Sequence, residues 1–149
     1  MTDTIDRLKT IVRLRRRDLD RYERDMAAAH RQMASAEEEA QEAAHACTRA
    51  LTACDSAMAQ QARQPCDPLV QLHCLASAAR AEAARQLRAQ ARSALDDART
   101  LAEGLKREWA RAQARHDAIV GELDRAVRAW KRQMSRRADD EVRPMSVAT

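Results

Sequence analysis

Apolar residues recur along the first sixty positions with the alternating three-and-four spacing of a heptad. Stepping seven from Ile5, one set reads Ile5, Val12, Leu19, Met26, Met33, Ala40, Cys47 and Cys54. Three residues on from each lies a second set: Leu8, Arg15, Tyr22, Ala29, Ala36, Ala43, Ala50 and Ala57. Arg15 alone breaks the apolar run. Such a ladder predicts a long α-helix with one narrow seam, under-wound to meet a second helix. It stops at Pro65, Cys66, Asp67 and Pro68. Neither proline fits a regular helix interior, and the residue before each is pushed out of the helical region.

A second ladder carries the chain back. Its sevenfold set is Cys74, Ala81, Arg88, Leu95, Ala102, Trp109, His116, Leu123 and Trp130, and its companion set runs from Ser77 and Ala84 to Ile119 and Ala126. Leu87, Leu101, Val120 and Val127 are expected to widen this stripe. The pattern therefore predicts an all-α fold in which two long helices form an antiparallel coiled-coil hairpin, as a single domain over 1–149. Helix 1 is expected over about 3–63, the turn over 64–68, helix 2 over about 69–137 and a frayed tail over 138–149. Asp67 is placed to cap helix 2 with Pro68 in its first position. Gly104 and Gly121, in the middle of helix 2, suggest mild bends or close backbone contact. Folding about the turn puts residue i near residue 133 − i. Methyl-sized side chains then meet near the turn, while larger ones gather where the two ends lie.

Composition narrows the class further. Of 149 residues, 45% are hydrophobic, yet only 2% are aromatic and none is Phe. Alanine makes up about a fifth of the chain and contributes little buried area, so the hydrophobic fraction overstates the core. Two glycines and three prolines give little turn punctuation for a compact fold of many elements. Nothing approaches the roughly 18 consecutive apolar residues of a membrane span. The first thirty residues are charged throughout and lack the apolar stretch of a secretory signal. Cytoplasmic residence with free thiols at Cys47, Cys54, Cys66 and Cys74 is the expectation.

The candidate chemistry is sparse. Cys47 and Cys54 lie on the seam, where cysteine acts as a small hydrophobe. Cys54, Cys66, His73 and Cys74 lack the paired Cys-x-x-Cys knuckle of a structural zinc site. His116 on the seam, with Arg15 opposite, suggests a polar layer that fixes register. No catalytic triad, phosphate-binding loop or metalloprotease motif appears. We therefore expect no enzyme, no cofactor, no metal and no small-molecule substrate.

Charge is distributed less evenly than the net +4 implies. Arg7, Lys9, Arg13, Arg15, Arg16 and Arg17 form a stretch with no acid, and helix 2 closes with Arg125, Arg128, Lys131, Arg132, Arg136 and Arg137. Antiparallel pairing is expected to bring both clusters to the same end. Arg13, Arg16 and Arg17, with Arg128, Lys131 and Arg132, lie off the seam and are the candidate residues for binding an acidic partner.

The segment Leu8 to Asp25, LKTIVRLRRRDLDRYERD, opens a basic hairpin of about 150 residues. In this it resembles the central-stalk proteins of type III secretion ATPases, the flagellar FliJ and injectisome YscO type, and most of all the stalk of plant-pathogen Hrp systems. The resemblance covers nearly the whole chain and rests on architecture, length and the leucine-arginine N-terminus. It implies a cytoplasmic protein, peripheral to an inner-membrane secretion apparatus, that binds a hexameric ATPase and links it to the export gate. An association with export chaperones and with virulence is implied as well. Two other readings fit the residues alone: a generic coiled-coil scaffold or dimerisation module, and a basic nucleic-acid-binding hairpin. The second suffers from the near absence of stacking aromatics. The short proline turn makes pairing within one chain entropically cheap, so a monomer is expected.

Overall fold

The computed structural model describes residues 2–142. Within them the chain forms two helices, α1 (Thr2–Arg63) and α2 (Pro68–Val142), packed against each other as an all-α hairpin. No strand occurs among the described residues. Helix α2 runs five residues beyond the expected end at 137. Asp139 and Asp140 follow Arg136 by three and four residues, so opposite charges lie one helical turn apart, and no proline intervenes before Pro144. Of the expected tail 138–149, residues 143–149 lie outside the described residues.

The turn is built as its sequence dictates. The Gln64 amide donates to the Gln60 carbonyl at 3.0 Å, closing the last turn of α1. Asp67 Oδ1 then accepts the amides of Leu69 at 2.9 Å and Val70 at 3.4 Å, capping α2. Gln71 reaches back with its side-chain amide to the Pro65 carbonyl at 2.8 Å. These bonds take up donors and acceptors that a helix end leaves unsatisfied. Replacing Asp67 with Ala is expected to cost about 1 kcal/mol in urea unfolding, and Asp67→Asn to restore most of it.

Contacts divide the chain into two units: Met1–Asp25 with Leu105–Thr149, and Met26–Gly104. In the first, Leu19 is fully buried and Ile5 nearly so. Leu8, Val12, Tyr22, Trp109, Ile119, Leu123 and Trp130 are half-buried around them. In the second, the core is made of small side chains: Ala29, Cys47, Ala57, Ala81, Ala98 and Ala102 are buried, with Val70 and Leu95 the larger members. A two-helix seam can cover only one stripe of each helix, and these residues are that stripe.

Three seam expectations are corrected. Arg88 is exposed, as are Leu87 and Leu101, which do not widen the core of α2; Val120 and Val127 are half-buried. A lone pair of helices has no third surface to cover a flanking leucine. Arg15 and His116 form no polar layer. Arg15 turns outward to Asp18 at 3.7 Å, and the polar partner of His116 is the neighbouring Asp117 at 3.3 Å. Finally, the glycines mark no close approach: a Cβ built at Gly104 or Gly121 meets nothing within 4 Å, and neither has a positive φ. Gly104→Ala and Gly121→Ala are therefore each expected to stabilise by about 1 kcal/mol, read as a rise in melting temperature.

Candidate functional site

Each of the six candidate cations is exposed. All six belong to the unit formed by Met1–Asp25 and Leu105–Thr149, three on each helix. Their surroundings differ. Arg16 is held by Asp20 at 3.1 Å, one turn along α1. Arg128 donates from Nε to the Asp124 carbonyl at 3.3 Å and makes no ion pair among the described residues. Arg13, Arg17, Lys131 and Arg132 make no ion pair within the described residues. Every residue from Lys131 to Asp140 is exposed, so among the described residues no helix faces this stretch of α2.

Two apolar side chains that the ladder did not single out lie among the α1 cations. Ile11 and Leu14 are 37% and 53% exposed, and together with Arg15, Arg17 and Asp18 they line a shallow hollow. The signal was present in the sequence, because Ile11 and Leu14 fall outside both seam sets. A surface that mixes exposed leucine with unpaired arginine can desolvate a partner's apolar residues while its cations find carboxylates.

The thiols are also where their spacing puts them. Cys47 is fully buried in the seam, Cys74 is buried, Cys54 is half-buried and Cys66 is exposed at the turn. All four are free, and no group of three or more metal-ligating side chains occurs among the described residues. The Trp109 indole N–H is buried and finds no acceptor among the described residues. The titration of Asp117 is displaced downward. The Gln113 amide donates to it at 2.9 Å and the His116 ring lies at 3.3 Å, together holding its carboxyl below the usual range. The small stabilisation this brings is present at neutral pH and is lost as acidification carries the group through its lowered value.

Against protein-family models, curated proteins and solved structures, the chain finds no match.

Proposed function

We propose that this protein is a non-enzymatic coupling stalk of a type III secretion export apparatus. It binds a hexameric export ATPase from the cytoplasmic side and links it to the export gate. The observation that carries the reading is the set of exposed cations Arg13, Arg17, Lys131 and Arg132, which make no ion pair among the described residues. They lie on both helices of one unit of a basic helical hairpin. The resemblance of the Leu8–Asp25 segment and of the hairpin to the FliJ and YscO type supplies the partner.

The physical logic is that of an asymmetric insert. Two antiparallel helices present different side chains to each subunit of a ring, so one protomer contacts the six ATPase subunits unequally and biases their nucleotide states. Exposed cations serve such a role at little cost to folding, because surface ion pairs contribute about 0–1 kcal/mol each. Their attraction acts over roughly 10 Å at moderate salt and steers approach to an acidic surface.

The test is direct. Purified protein is titrated into a type III export ATPase, and nucleotide hydrolysis is followed together with ring assembly by sedimentation. Saturable stimulation at a stoichiometry of one chain per ring supports the proposal. A well-folded protein that neither stimulates hydrolysis nor co-sediments with the ring overturns it.

A further inference from the structure

The Met26–Gly104 unit has two unlike sides. On one, Arg85, Arg92 and Arg99 recur every seven residues along α2. The last of them reaches across to Glu37 on α1 at 3.7 Å. On the other side the corresponding positions of α2 are Leu87, Ala94 and Leu101. Here the helices leave an open groove. Its floor is alanine, including Ala43, Ala84 and Ala91. Beyond Glu39, which borders both stretches, it continues past Ala36, Ala94 and Leu101. Leu87 and Leu101 are 61% and 49% exposed. They are two heptads apart, about 21 Å along the helix.

The charge around this groove is the reverse of the whole chain's. Glu39 and Glu42 on α1 and Asp97 on α2 border it, against Arg49 as its one Lys or Arg. None of the three acids makes an ion pair among the described residues. The unit as a whole carries 8 Lys and Arg against 10 Asp and Glu, a net of −2, while the other unit carries 19 against 13, a net of +6. An apolar strip at heptad spacing, a methyl floor that lets a backbone come close, and uncompensated carboxylates on the rim define one kind of occupant.

We propose that this groove binds a basic amphipathic helix of a partner protein, closing the unit into a local three-helix bundle. The guest's apolar seam covers Leu87 and Leu101, and its flanking Lys or Arg residues meet Glu39, Glu42 and Asp97. The chain's own cationic segments are poor occupants. Helix α1 has Ile5 and Leu19 buried in the hairpin, and its exposed Ile11 and Leu14 lie only one turn apart, too short a strip to cover both Leu87 and Leu101. The exposed stretch 131–140 offers Met134 as its one large apolar side chain. The inference goes beyond the ATPase reading and does not depend on it, because it concerns the other unit and the opposite charge.

The experiment uses the full chain and a labelled synthetic helix of about three heptads, with Leu at its seam positions and Lys beside them. A second peptide carries Glu in place of Lys. Fluorescence anisotropy should show saturable binding of the Lys peptide and none of the Glu peptide. Leu87→Gln with Leu101→Gln, both exposed and so harmless to folding by circular dichroism, should weaken binding at least about tenfold. Glu39→Lys, Glu42→Lys and Asp97→Lys together should transfer preference to the Glu peptide. Three results would each overturn the proposal: no saturable binding of the Lys peptide, undiminished binding to the leucine variant, or concentration-dependent dimerisation that the leucine variant abolishes. The last would make a second copy of this chain the occupant.

Discussion

Changing Arg13, Arg16 and Arg17 together to Glu is expected to weaken association with the proposed ATPase partner at least about tenfold while leaving helicity and melting temperature nearly unchanged. The three side chains are exposed, so folding loses little when their charges go. What changes is the field an approaching acidic surface meets. Within the cluster the roles differ. Arg16 is already occupied by Asp20, so Arg16→Glu alone places like charges one turn apart and costs the helix a few tenths of a kcal/mol. Arg13 and Arg17, unpaired and beside the exposed Leu14, should carry most of the loss in binding. Stimulation of hydrolysis, measured at low and at high salt, checks this. The deficit should be largest at low salt, where screening is weakest. Full stimulation by the folded triple variant would make the cluster a solvated face and move the docking surface elsewhere.

The second large effect lies in the core. Leu19 is fully buried in a unit where, among the large apolar residues, only Ile5 approaches the same burial. Leu19→Ala removes three carbons from a site that a two-helix seam cannot readily collapse around, and should cost about 2–5 kcal/mol. Leu14→Ala, at a position 53% exposed, should stay within about 0.5 kcal/mol of the parent. Urea unfolding compares the two. Hydrogen exchange should place the lost protection of Leu19→Ala in Met1–Asp25 and Leu105–Thr149. A cost below about 1 kcal/mol would show that the seam does not hold this unit.

The heptad ladders and the proline turn made the fold legible, because a period of 3.5 with one break allows few arrangements. Asp67 was readable for the same reason: a cap just before Pro68 has a single mechanical role. The exposure of Leu87 and Leu101 was not, since hydrophobic position predicts burial only when something exists to cover the residue. The His116 and Arg15 pairing failed because a long side chain at a seam position can leave it, and Asp18 lay within reach of the guanidinium. The six cations were legible as exposed. Which were free was legible in part: Arg13, Lys131 and Arg132 have no acid three or four residues away, whereas Asp20 stands within reach of both Arg16 and Arg17 and pairs with Arg16.

The alanine seam of the Met26–Gly104 unit also sets a calorimetric signature. Unfolding heat capacity scales with the apolar surface newly exposed to water, and a methyl against a methyl exposes little. That unit should therefore melt over a wide temperature span with a shallow free-energy curve, losing stability slowly on warming and slowly on cooling. A Leu- or Ile-filled seam of the same length would give a sharper transition. The slim packing thus exchanges cooperativity for a stability that is nearly indifferent to temperature.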